Sequence, residues 1–167
     1  MTDGRTEPPL TGGERETLRG YLDWHRATLA VKCAGLSDDD LRRTSMPPST
    51  LSLLGLVRHM AEVERSWFRR VVDGQDVPLV WSADRDFQVA YDAAHADVAE
   101  AFAAWEGEIG HARRIEGAAP SLDVTGTDRD GTAYSLRLVL LHVIQEYARH
   151  NGHADLLREG IDGVTGV

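Results

Sequence analysis

Four residues near the C-terminal end of the chain have the types and spacing to hold a metal ion: His142, Glu146, His150 and His153. Plotted at about 100° per residue with Glu146 at zero, they lie near −40°, 0°, +40° and −20°, inside an arc of about 80°. Val139, Val143, Ala154 and Leu157 fall between about +20° and +80° on the same plot. The polar stripe therefore overlaps the apolar face that a helix here has to bury. Burying three imidazoles and a carboxylate without partners is costly. A divalent cation removes that cost, because side chains at i and i+4 project side by side and Glu146 and His150 can reach one ion. A tetrahedral or octahedral site needs a further ligand from elsewhere. His59 is the best donor, since it borders the face formed by Leu56, Val63 and Trp67. The competing reading is a set of hydrogen-bonded core histidines. His95 and His111 lie off the core stripe or at a helix end, where solvent or the helix dipole accounts for them.

Four helical stretches have to position these groups. The first opens at Thr11-Gly12-Gly13-Glu14, which has capping-box spacing, carries Leu18, Leu22, His25 and Leu29 on one stripe, and stops at Gly35. Ser37 to Thr50 reads as a loop interrupted by Pro47-Pro48. The second helix is expected from Ser52 to Val72, with Leu53, Leu56, Met60, Val63, Trp67 and Val71 toward the core. The third runs from Asp84 to His111 on a stripe of Phe87, Tyr91, Ala94, Val98, Phe102, Trp105 and Ile109. Gly117 to Asp130 reads as a polar linker closed by an Asp130-Gly131 turn, with no convincing partner for any strand within it. The fourth helix spans Ser135 to Glu159 and ends at Gly160. The expected architecture is an all-α four-helix bundle.

With 167 residues, the length corresponds to a single domain, residues 1–167. Hydrophobic residues make up 42% and charged residues 27%, an ordinary globular composition. The net charge of −9 argues against nucleic acid as a partner, since phosphate binding needs a clustered basic surface. No apolar run approaches the roughly 18–20 residues that cross a bilayer, and the N-terminus lacks a signal-peptide pattern, so a cytoplasmic protein without a membrane partner is expected. Cys33 is the only cysteine, which excludes an internal disulfide framework and a Cys-rich zinc site. Cys33 reads as a small buried hydrophobe near a helix end, and Lys32 is the only lysine.

Two segments carry a family resemblance: Ser52-Leu-Leu-Gly-Leu-Val-Arg-His59-Met-Ala-Glu-Val-Glu64, and the block from His142 to Glu159. They resemble the DinB superfamily, in particular its branch of DinB-like mycothiol transferases. Glu14-Arg15, Leu22-Asp23-Trp24-His25-Arg26 and Gly35-Leu36-Ser37-Asp38-Asp39-Asp40-Leu41 fit the same branch. The resemblance implies an up-down-down-up bundle, often a homodimer, with a metal held by one side chain of the second helix and two of the fourth. The matching positions are His59, Glu146 and His150, with glutamate where many members have a third histidine. Relatives that isomerise maleylpyruvate with mycothiol are similar in carrying that glutamate. His153 stands where many members have glutamine, and it joins His142 as a cofactor-site candidate beside the ligands.

The activity so implied is a metal-dependent S-transfer from a low-molecular-weight thiol such as mycothiol to a small electrophile: an epoxide, a halide, an activated alkene or an antibiotic. Zinc is the first expectation for the metal, with nickel, iron and manganese as alternatives. His25 is a candidate to hydrogen-bond bound water or substrate, and Arg149 a candidate to hold a carboxylate. Competing activities are a metal-dependent hydrolase or isomerase and a non-haem Fe(II) oxygenase, which uses the same two-histidine, one-carboxylate set. The third class is a non-catalytic, stress-associated metal-binding bundle, for which a closed shell completed by His142 or His153 would speak.

Overall fold

The fold is that of a computed structural model, which describes residues 5–82 and 86–166. Among the described residues there are five α-helices: α1 (Glu14–Cys33), α2 (Asp38–Arg42), α3 (Leu53–Glu64), α4 (Val98–Ala118) and α5 (Leu136–Asp162). A π-helix, Arg65–Val72, prolongs α3, and a 3-10 helix, Phe87–Tyr91, precedes α4. Thr125–Thr127 (β1) pairs antiparallel with Ala133–Ser135 (β2), Gly126 opposite Tyr134. The molecule is therefore mostly helical with one small hairpin, and the polar linker does hold a paired strand, contrary to expectation. A three-residue strand is too short to leave an alternating pattern.

Side-chain caps start most helices where the sequence places serine or aspartate. Ser52 Oγ accepts from Gly55 N at 3.1 Å at the start of α3, and Ser135 Oγ accepts from Leu138 N at 3.2 Å at the start of α5. The capping box at Thr11 does not form. Gly13 occupies the N-cap without a side-chain bond, and Glu14 is drawn away to Arg137, whose Nε donates to its Oε1 at 2.8 Å. The third helix differs most from expectation. Only Phe87–Tyr91 of its first half is helical, as a 3-10 turn, and α4 starts afresh where Asp97 Oδ1 accepts from Glu100 N at 2.8 Å. Asp84, its expected first residue, lies outside the described residues. The loop after α1 also contains a short helix, α2, capped by Ser37. Finally, α5 passes through Gly160 and stops at Gly163, whose φ is +77°. At Gly160 the close neighbour is Ser45, whose carbonyl would lie 3.0 Å from an added Cβ. That glycine admits the chain segment packed on α5 and does not end the helix.

The core is filled by Leu29 of α1, Leu53, Leu54, Leu56 and Met60 of α3, and Leu136, Leu140 and Tyr147 of α5, all fully buried. Alongside them runs a buried polar chain. Arg26 donates from Nε and Nη2 to the two oxygens of Glu64, both at 2.8 Å. The Tyr147 hydroxyl donates to Glu64 Oε1 at 2.9 Å, and Trp105 Nε1 donates to the Tyr147 oxygen at 2.7 Å. One chain of hydrogen bonds thus links α1, α3, α4 and α5. At the far end of α1, Lys32 and Cys33 are both buried, and Lys32 Nζ sits 2.8 Å from Asp155 Oδ1.

The π-helix widens the turn, with Asp73 N donating to Phe68 O, five residues back, at 2.9 Å. In that segment Arg65 Nη2 and Arg69 Nη1 both reach Glu108 Oε1, at 2.6 and 3.0 Å. The hairpin presses directly on it: a Cβ at Gly126 would overlap the carbonyl of Val71. Gly126→Ala should push the hairpin off the π-helix. The expected cost is about 1–3 kcal/mol, the usual range for overpacking, seen as a fall of several degrees in Tm by circular dichroism. An unchanged Tm would show that the hairpin is free to move.

Candidate metal centre

The centre lies where α3 faces α5. His59 comes from the middle of α3, and Glu146 and His150 come from successive turns of α5. Each offers one ligand atom, and the three atoms lie within 4.8 Å of one another. Glu146 Oε2 is 3.7 Å from His59 Nε2 and 3.4 Å from His150 Nε2. The three side chains are mostly buried, 12, 18 and 6% exposed in chain order.

The donor set fits a divalent cation on two observations. Both ring nitrogens of His59 are buried and neither has a hydrogen-bond partner among the described residues. An unmade buried hydrogen bond costs about 1–3 kcal/mol, and a cation would take up the free lone pair. The second observation is protonation. Burial pushes the imidazole of His150 down to about 3, with the neighbouring His59, His153 and Arg149 acting in the same direction. Burial also lowers His59, against the opposing pull of Glu146. Both rings are therefore neutral at physiological pH, the form in which an imidazole nitrogen binds metal.

Aromatic rings fix the ligands in place. Tyr91 of the 3-10 helix stacks on His59, with centroids 4.7 Å apart and planes at 19°, and His150 meets the same ring edge-on at 4.6 Å. On the other side Trp67 packs on His142 at 4.4 Å. The polar chain through Glu64 and Tyr147 secures the residues next to Val63 and Glu146, so the facing turns of α3 and α5 are held from behind.

Of the residues singled out from the sequence, the structure brings His59, Glu146 and His150 together. His142 and His153 flank them. His142 Nε2 is 3.8 Å from Glu146 Oε1, and His153 Nδ1 is 3.3 Å from His150 Nδ1. His25 meets Asn151, whose Nδ2 lies 3.3 Å from its ring nitrogen and donates to its carbonyl at 3.0 Å. Arg149 is exposed and has no hydrogen bond or ion pair among the described residues, while its charge bears on His59, Tyr91 and His150.

Three candidate donors from α3 and α5 come together here, and a family model for mycothiol-S-transferase matches residues 17–163 of the chain. The chain belongs to the mycothiol-S-transferase family. All three donors of this mycothiol-S-transferase family member fall inside the matched span. No curated protein matches the chain significantly. No described helix is long and apolar enough to cross a membrane.

Tyr91 is the neighbour of the centre that sequence reasoning placed wrongly, on the core stripe of a long third helix. Its contact with His59 depends on the 3-10 helix folding back along α3, which its spacing from Phe87 does not reveal. Trp67 reads from sequence as packing, and only the meeting of the π-helix with α5 sets it against His142.

Proposed function

We propose that this protein is a metal-dependent thiol S-transferase that joins a low-molecular-weight thiol of the mycothiol type to a small electrophile. The observation that carries the reading is the number of donors. Among the described residues the cluster has three ligands, the count that leaves a zinc-like ion an open position for water or substrate. The family match supports the same activity. Zinc is the metal proposed first, with nickel, iron and manganese as the alternatives the donor set also suits. The scaffold is read as a four-helix bundle of α1, α3, α4 and α5 with up-down-down-up connectivity. The order of paired residues supports this. Glu14–Arg137 and Lys32–Asp155 run in the same sense along α1 and α5, whereas Arg19–Glu116 and Asp23–Arg113 run oppositely along α1 and α4.

A divalent cation in this centre would lower the pKa of a thiol reaching its open position, as it does for other coordinated groups. The remaining work belongs to the chain. His59 and His150 stay neutral, Tyr91 holds the His59 ring, and the rings of Tyr91 and Trp67 limit access of water. In the reaction the sulfur pair forms an S–C bond. With a halide, the C–X bond breaks, its pair leaves on the halide and the thiol proton passes to solvent; with an epoxide, a C–O bond breaks, its pair stays on the oxygen and that oxygen takes up the thiol proton. Arg149, exposed beside His150, is proposed to attract an anionic group on either substrate.

The test is conjugation of mycothiol to a haloalkyl probe, followed by mass spectrometry. Product should form with metal-loaded protein, fall at least tenfold after chelation, and return on adding zinc. Fully loaded protein that leaves mycothiol and probe at the uncatalysed rate would overturn the reading in favour of a non-catalytic metal-binding bundle.

A further inference from the structure

A groove begins one helical turn beyond the metal ligands. Val63 follows His59 by four residues on α3, and Trp67 follows Val63 by four in the π-helix. These two residues, with Ser66, Val71, Phe87, Asp128 and Tyr134, line a cavity of about 270 Å³. Its walls connect to the centre on both sides. The Trp67 ring packs on His142 at 4.4 Å and meets Tyr134 edge-on at 5.2 Å. Phe87 lies on the same 3-10 helix as Tyr91, which stacks on His59.

The groove is mostly apolar, and Phe87 is 39% exposed, leaving a large ring surface without a covering neighbour. Two polar side chains stand among these walls, Ser66 and Asp128. Ser66 Oγ is buried and has no hydrogen-bond partner among the described residues. A buried hydroxyl in this state is short of one hydrogen bond. The Asp128 carboxylate, in contrast, already has partners: its Oδ1 accepts from Asp130 N and Thr132 N at 3.0 and 2.9 Å, and its Oδ2 from the Tyr134 hydroxyl at 2.9 Å.

Size and polarity together select the occupant. An apolar cavity of about 150 Å³ holds one benzene, so this one has room for a ring bearing a short substituent. A thiol carrying a sugar or peptide body would leave its hydrogen-bonding groups unpaired against Val63, Trp67 and Phe87. We propose that this groove binds the flat, apolar part of the electrophile, an aromatic ring or conjugated system, with the Ser66 hydroxyl donating to one acceptor on it. The proposal rests on the transferase reading for the word electrophile, and on the groove itself for the chemistry of the ligand.

Acetophenone, a flat aryl ketone that does not react with thiols, is the binding probe, titrated calorimetrically into zinc-loaded protein without thiol. Wild type should bind it. Trp67→Ala and Phe87→Ser should each raise Kd about tenfold, through lost ring contact, and Ser66→Ala about fivefold, through one lost hydrogen bond. Phe87 is exposed enough that its replacement does not threaten folding. The reactive companion is phenacyl bromide, compared with iodoacetamide, a small polar electrophile. Phe87→Ser should raise KM for phenacyl bromide and leave that for iodoacetamide unchanged. If acetophenone binding weakens as stated but no thiol is transferred, the transferase reading fails and the aromatic groove stands. If transfer proceeds while the variants leave both acetophenone binding and the preference between electrophiles unchanged, the groove assignment is overturned. Wild type that does not bind acetophenone overturns it too.

Discussion

Glu146→Ala and His150→Ala are each expected to lower the metal content of untagged protein from about one ion per chain to under about 0.1. Elemental analysis after gel filtration reads the result. Glu146 is the only anionic donor of the three, and its oxygen faces both imidazoles, so its loss leaves two neutral ligands on separate helices. Removing even an outer hydrogen-bond partner of a metal ligand typically weakens binding about 10–100-fold. Loss of a direct donor should exceed that. Glu146→His should keep the ion, because it restores a third donor of the kind zinc accepts. His95→Ala is the control, since His95 lines a separate cavity with Arg58 and Trp81. Protein that stays loaded in both alanine variants, or empties in His95→Ala, would move the centre elsewhere.

The second large effect is on stability. Glu64→Ala leaves the Arg26 guanidinium buried without its bidentate partner and takes the acceptor from the Tyr147 hydroxyl. Breaking a buried pair on one side costs about 3–5 kcal/mol, which for a domain of this size lowers Tm by about 10 °C. Urea denaturation followed at 222 nm measures it. Replacing the members together, as Arg26→Met, Glu64→Leu and Tyr147→Phe, should recover most of the loss, because no buried charge is then stranded. A single Glu64→Ala variant within about 1 kcal/mol of wild type would mean that water or a rearranged Asp23 takes over the arginine.

These two sites were not equally legible in the sequence. Glu146 and His150 stood out because a long helix repeats at 3.6 residues, and polar groups on an apolar face contradict that repeat. His59 followed from the same reasoning on α3. The ion pair of Arg26 with Glu64 left no such trace. It joins residues 38 apart, and an arginine on a helix reads as solvated until its partner is known. The break between Phe87–Tyr91 and α4 was hidden for another reason. The spacing Phe87, Tyr91, Ala94, Val98 continues the helical repeat through the gap, while Asp97 starts a new helix by capping. The π-helix was also invisible, because Trp67 and Val71 keep the four-residue spacing of α3. What widens the turn there is tertiary, with Glu108 gathering two arginines and the hairpin pressing at Gly126.

The burial of Lys32 and Cys33 has a consequence for a protein proposed to handle alkylating compounds. They are the chain's only lysine and only cysteine, hence its only side chains with a primary amine or a thiol. The ammonium is spent on Asp155, and burial pushes the Cys33 thiol up to about 12. Neither presents a free electron pair at the surface. A reactive electrophile that reaches this molecule thus meets neither the Lys32 amine nor the Cys33 thiolate at the surface, which spares the incoming thiol those two rivals and spares both groups from being consumed by the substrate.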